Sequence, residues 1–144
     1  TTETTTQTTT TREAAADAPA KVAFLFLVGG AIATEPLWRA FFATPFAQSR
    51  STVAVHPPPG FDFPAESFFA PFVLPEKRRV EVTWGSLAMV HAEVILLTKG
   101  LEDPRAERFV LLSETDVPLW PFRCTHAALV STAASFVESR RTLE

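Results

Sequence analysis

The chain has 144 residues, 47% of them hydrophobic and 20% charged, enough for one folded domain with a single core. A net charge of −3 gives no basic excess, so nucleic acid is not expected as a partner. The single cysteine, Cys124, excludes an intrachain disulfide and a multi-cysteine zinc site, and reads as a small half-buried side chain.

Residues 1–20 differ in composition from the rest. Nine of the first eleven residues are threonine, followed by an Ala-rich piece and Pro19. Such a segment buries too little apolar surface to offset its ordering entropy, and a disordered lead-in is expected. A plain linker and an O-glycosylated stalk both fit this composition. It lacks the basic start and apolar stretch of a signal peptide. The chain does not begin with Met, which is compatible with an anchor or leader upstream.

The ordered domain is expected from Lys21 to the end. Lys21 to Val28, KVAFLFLV, is an unbroken apolar run of strand length, the pattern of a strand covered on both faces. The apolar stretch through Ala33 covers about twelve residues and two glycines, short of the roughly 20 that span a bilayer. Thr34-Glu35-Pro36 predicts a helix start, with Thr34 as cap and Leu37, Ala40 and Phe41 as its apolar face to about Ala43. Ser51 to His56 predicts a second strand, stopped by Pro57-Pro58-Pro59-Gly60. Ser67 to Leu74 is a third short strand candidate that Pro71 puts at an edge or splits. After a basic turn at Lys77-Arg78-Arg79, Val80 to Thr83 reads as extended. Leu87, Val90, Val94 and Leu97 then recur at helical spacing and predict a helix over residues 86–99, with Gly100 just past its end. Arg108 to Leu112 predicts a buried strand, Ser113-Glu114-Thr115-Asp116 a bend, and His126 to Ala134 a last helix.

Alternating buried strands and helices imply an α/β fold, a three-layer Rossmann-like sheet, with ligands at the carboxyl ends of the strands. Those ends are Gly29-Gly30, His56-Pro57, Trp84 and Ser113 to Asp116. Gly29-Gly30 fits a turn or a close approach of ligand to backbone; it matches neither the dinucleotide nor the P-loop fingerprint. The lack of Ser or Thr at Gly29-Gly30-Ala31 also disfavours a flavodoxin-like module. His56 fits a structural role or a ligand contact. Trp84 fits a core or rim residue or a stacking platform for a planar base. Glu114 and Asp116 can hold backbone amides at the bend or bind a cation, but without a third ligand no metal site is assigned. Glu93 lies on a helix, either solvated or facing the cleft. His56, His91 and His126 lack metal-ligand spacing, and no GxSxG is present.

Four blocks in order are more specific together than singly: KVAFLFLVGGAIATEPLWRAFF (Lys21 to Phe42), VAVHP (Val53 to Pro57), VTWGSLAMVHAEVILLTKGLEDP (Val82 to Pro104) and ERFVLLSETDVPLWPF (Glu107 to Phe122). SFVES, Ser135 to Ser139, adds a weaker match. On these residues the chain resembles the plant and algal branch of the core-2/I-branching N-acetylglucosaminyltransferases. The third and fourth blocks carry the specificity.

The resemblance implies a GT-A-type fold, present as the N-terminal, donor-binding part of an incomplete catalytic domain. It implies inverting, metal-independent transfer from a UDP-sugar to a glycan or glycoprotein, with no cofactor. It places Val28 and Gly29, His56 and Trp84 in the donor-binding pocket, and Asp116 matches an Asp of the animal members. Golgi or other secretory-pathway membrane residence, on the lumenal side, follows from the family, with membrane attachment only through an anchor absent from this chain. Pro58 stands where many relatives have Asp. The family's catalytic Glu and its diphosphate-binding basic residues lie downstream of the SETDVPL bend, and no residue here matches them. No catalytic residue is therefore assigned. A non-catalytic carbohydrate- or protein-binding domain derived from the family is the alternative.

Overall fold

A computed structural model describes residues 19–137. Its core is a three-stranded, all-parallel sheet of β1 (Lys21–Leu27), β2 (Ser51–His56) and β3 (Ala106–Leu112), in the order β2-β1-β3. Phe24 pairs with Val53 on one side and with Val110 on the other. The helices are α1 (Glu35–Phe41), α2 (Pro45–Ser49), α3 (Leu87–Leu101) and α4 (Phe122–Val130). The α/β class with helices on both faces of a parallel sheet matches the expectation from sequence, including the type of sheet that the GT-A reading requires.

The unbroken apolar run of β1 follows from its central place. Alternation sends Val22, Phe24, Phe26 and Val28 to one face and Ala23 and Leu25 to the other, and all six are buried. The first face meets Trp38 and Phe41 of α1, Phe42, and Phe122 of α4 in an aromatic core. Phe26 sits 5.0 Å from both Trp38 and Phe69, edge to face. Such pairs each contribute about 0.5–1.5 kcal/mol beyond their burial. The second face is lined by small side chains, Ala23 and Ala54, so α3 approaches closely through Ala92, Leu96 and Gly100.

Gly100 therefore lies inside α3, not past its end. A Cβ there would stand 3.1 Å from the Phe109 ring and 3.3 Å from the Ala23 Cβ. The stripe expected to face the core is also displaced: Leu87, Val90 and Val94 are exposed. Close packing puts the small Ala92 and Gly100, with Leu96 between them, on the sheet side and leaves Leu87, Val90 and Val94 outside.

Ser67 to Leu74 is not a strand. Pro71 supplies no N–H, and the segment instead makes a short 3₁₀ turn at Ala70–Phe72 with one isolated bridge, Val73 to Val55. Its aromatic residues serve the core: Phe69 is buried and Phe68 stacks on Phe42 at 5.5 Å. Helix α1 buries Trp38 and Phe41 while Leu37 and Ala40 are exposed. Thr34 precedes it without capping it by its side chain; the hydroxyl donates to the Asp116 carbonyl at 3.2 Å. The short α2 has no counterpart in the sequence reading; Thr44 caps it by accepting the Ala47 N–H at 3.1 Å. Helix α4 runs from Phe122 to Val130, earlier at both ends than the expected His126 to Ala134, and Cys124 on its first turn is exposed and not half-buried as expected.

At the amino ends of the strands, Asp103 acts as a clasp. Its carboxylate accepts from Lys21 Nζ at 2.7 Å, Thr52 Oγ1 at 2.9 Å and the Arg105 N–H at 3.0 Å, joining β1, β2 and the turn into β3. The lead-in expected over residues 1–20 lies outside the described residues except for Pro19 and Ala20. The last two residues of Ser135 to Ser139 also lie outside them. No helix among the described residues is long and apolar enough to cross a membrane.

Candidate ligand cleft at the carboxyl ends of the strands

The sheet's carboxyl edge opens into a cleft of about 450 Å³, within the roughly 300–1,000 Å³ of small-molecule sites. Its floor is the end of β1, Leu27-Val28-Gly29. His56 at the end of β2 flanks it on one side, and Leu112 to Glu114 beyond β3 flank it on the other. Val80, Val82 and Trp84 form a wall, and Met89 and Glu93 of α3 complete it. The cleft brings together all five residues singled out in the sequence, Val28, Gly29, His56, Trp84 and Asp116, from four separate segments.

Each is placed by a local cause. The Val28 N–H donates to the His56 carbonyl at 3.1 Å, continuing the parallel ladder one residue past β1. His56 is 1% exposed; its Nε2 accepts the Val80 N–H at 3.1 Å and fixes the start of the wall. That bond makes Nε2 the unprotonated nitrogen and puts the proton on Nδ1, which is buried without a protein partner. Burial pushes the imidazole pKa below its ordinary value, and the Arg79 guanidinium adds to the effect. The ring is therefore neutral at neutral pH.

Trp84 follows the wall and is 90% exposed. Gly85, with φ of +74°, turns the chain from the wall into α3, a conformation that favours glycine. The indole thus lies open at the cleft rim and does not pack into the core.

The bend after β3 is built by Asp116. One carboxylate oxygen accepts the Ser113 N–H at 2.6 Å and the Ser113 hydroxyl at 3.0 Å. The Asp116 carbonyl accepts from Trp38 Nε1 and Thr34 Oγ1, each at 3.2 Å, which fastens the bend to α1. Asp116 thus shapes the rim, and its neighbour Glu114 reaches inward. Glu114 Oε1 lies 3.2 Å from the position a Cβ on Gly29 would occupy, so glycine there leaves room for this carboxylate. Sequence reading offered Glu114 as a bend residue or a cation ligand, without a partner elsewhere in the chain. Its approach to a glycine 85 positions earlier follows from β1–β3 adjacency and leaves no local signature.

The charged side chains lining the cleft are Glu93, Glu114 and Asp116, and no lysine or arginine among the described residues joins them. Arg78 pairs with Glu102 at 2.9 Å. Arg79 binds Glu76 and the carbonyls of Leu74 and Phe61, each at 2.8 Å. Among the described residues, no group of three or more His, Cys, Asp or Glu side chains is placed to hold a metal ion. A second groove of about 360 Å³ lies on the other side of the bend, against Trp38, Phe41, Leu112, Trp120 and Leu129. Its lining is almost wholly apolar, with Thr125 as the one hydroxyl-bearing side chain among the described residues.

A family model described as Branch: Core-2/I-Branching enzyme matches residues 22–144. The chain is 35% identical over 122 residues to a protein of Oryza sativa subsp. japonica named Glycosyltransferase BC10. The match takes in 83% of this chain and 30% of that protein, so the chain spans less than a third of its relative's length. No solved structure matches.

Proposed function

Because this chain belongs to the core-2/I-branching enzymes, we propose that it carries the donor-binding part of a glycosyltransferase. The reaction is inverting, metal-independent transfer of a hexosyl or N-acetylglucosaminyl group from a UDP-sugar to a glycan or glycoprotein, on the lumenal side of a secretory-pathway membrane such as the Golgi.

One observation carries the reading. Val28, Gly29, His56, Trp84 and Asp116 come from segments spread over almost 90 residues, yet all line one cleft at the carboxyl edge of a parallel sheet, where α/β proteins bind ligands. The parts suit a nucleoside. Gly29 lets a ligand approach the backbone. Trp84 offers a stacking face, a contact that contributes about 1–3 kcal/mol per base. His56, neutral, holds the wall that carries Trp84.

Transfer itself needs a general base for the acceptor hydroxyl and positive charge at the departing diphosphate. The described cleft presents carboxylates and no cation. That charge pattern favours a second reading, a module that binds nucleoside or carbohydrate without transferring it. Calorimetry with UDP on the chain and on Trp84→Ala tests the donor site: binding weakened by the substitution supports it, and no binding at millimolar UDP removes it. Incubation with a radiolabelled UDP-sugar and a glycan acceptor separates the two readings, since only a transferase moves label to the acceptor.

A further inference from the structure

Away from the cleft, two arginines converge on one phenylalanine ring. Arg50 follows α2, and its carbonyl accepts the Val22 N–H at 3.0 Å as the chain enters β2. Arg123 lies in the first turn of α4. Their guanidinium carbons sit 4.2 and 3.9 Å from the centre of the Phe46 ring, and so no more than about 8 Å from each other, within one Debye length at physiological salt. Phe46 is itself held in place, meeting Phe122 at 6.1 Å and His126 at 5.7 Å, both edge to face. His126 is buried and donates from Nε2 to the Ala20 carbonyl at 2.9 Å. The cluster therefore stands at the amino ends of β1 and β2, the edge of the sheet opposite the cleft.

The ring gathers positive charge at one place. Its π face attracts each guanidinium, and each guanidinium keeps its N–H donors in a planar fork matched to oxyanions. Arg123 is exposed and Arg50 partly so, which leaves both open to a ligand. Two features favour an anion there. The two cations repel each other at this separation. Arg123 also stands at the positive end of the α4 dipole, where a cation is unfavourable and an anion favourable. The first turn of α4 holds no acidic residue, and Pro121 gives it no side-chain cap. An oxyanion between the two guanidiniums answers both effects at once. Charge-assisted N–H···O bonds of about 2.7–2.9 Å on either side of a tetrahedral centre span a gap of this size.

We propose that Arg50 and Arg123, gathered on Phe46, form a binding site for a phosphate or sulfate group. The site is separate from the donor cleft, and a ligand bound here leaves that cleft open. A soluble phosphate and the phosphomonoester headgroup of a lipid present the same chemistry, so the test carries both.

The arginine Nε–H signals of the whole 144-residue chain, followed by ¹H–¹⁵N NMR, report on the site directly. The titrant is inorganic phosphate, with chloride holding the ionic strength constant. Saturable shifts are expected at Arg50 and Arg123 with a Kd of about 1–10 mM, the scale of two charge-assisted contacts. Arg78, paired with Glu102, should stay unmoved. Sulfate should compete. Arg50→Gln and Arg123→Gln should each weaken phosphate about tenfold or more, and Arg50→Lys, which keeps the charge but not the fork, should restore binding only in part. Phe46→Leu keeps both arginines but removes their platform, and should weaken phosphate about threefold with an unchanged circular dichroism spectrum. Cosedimentation with phosphatidylcholine vesicles that contain phosphatidic acid, reduced in both Gln variants, would assign the site to a lipid headgroup. Phosphate shifts without cosedimentation would assign it to a soluble anion. No saturable shift at either arginine, shifts that chloride alone reproduces, or binding that both Gln variants retain would overturn the proposal and leave the arginines as packing contacts of Phe46.

Discussion

Replacing Asp103 by Asn tests whether the clasp beneath the sheet holds the fold that presents the cleft. Asp103 is 18% exposed and Lys21 13%, so their 2.7 Å pair is largely shielded from water. Burial alone would raise the Asp103 pKa. The Lys21 ammonium, the Arg105 N–H and the Thr52 hydroxyl outweigh it and hold the group at about 2, against 3.8 when unperturbed. At 1.36 kcal/mol per unit, that difference corresponds to about 2.5 kcal/mol of stability. Because the folded value is the lower one, this contribution is fully present above the unfolded pKa and is lost as pH falls through the folded one. Asp103→Asn keeps the shape, removes the charge and leaves the Lys21 ammonium without its partner. Urea unfolding at pH 7 should show a loss of about 2–3 kcal/mol, a large share of the roughly 5–15 typical of a domain. The gap between the two proteins should stay constant from pH 8 to about pH 5 and close between about pH 4 and pH 2. A gap under about 0.5 kcal/mol at pH 7, the scale of an exposed pair, would refute the reasoning. So would a gap that persists unchanged to pH 2.

Trp84→Ala should leave thermal stability within about 0.5 kcal/mol, because the side chain is 90% exposed. UDP affinity should fall about five- to a hundredfold by calorimetry. Glu35 is opposed by burial but held below the usual carboxylate range by the Ser67 hydroxyl, the Phe68 N–H and Arg39. Glu35→Ala strands those donors and should cost about 1–3 kcal/mol in urea unfolding, with faster proteolysis in the Pro64 to Leu74 loop. His56, with a folded pKa below its unfolded one, contributes stability that is present above about pH 6.5 and lost as pH falls through the folded value. Protonating Nε2 also removes the acceptor for the Val80 N–H. Wild-type stability should therefore fall between pH 7.5 and 5. His56→Gln, whose amide oxygen can still accept that N–H, should show a flatter profile.

The central strand was legible because burial on both faces leaves a direct mark, an apolar run of the right length, in KVAFLFLV; RFVLL was found as a strand too, but at the sheet edge it is only half-buried, with Leu111 exposed, and not the buried strand expected. Their carboxyl ends then located the cleft by topology alone. The lost parts depend on distance in space. Helix α3 was found by periodicity, but its inward face was misread because Ala92 and Gly100 win the sheet side by being small. Ser67 to Leu74 carries strand-forming residues, yet Phe69 is held by Phe26 and Trp38 lies in the same cluster, so tertiary packing overrides local preference. The meeting of Glu114 with Gly29, and of Asp103 with Lys21 and Thr52, joins residues 51 to 85 positions apart, beyond the reach of any local pattern.

The most direct test of the central claim is a ¹H–¹⁵N NMR titration of this chain with UDP. Saturable shifts are expected at the Gly29 amide, the Trp84 indole N–H and the Ser113 to Asp116 amides, with the Trp120 indole in the apolar groove unmoved. Saturable shifts centred on Trp120, or none at Gly29 and Trp84, would contradict the assignment of the cleft as the donor site.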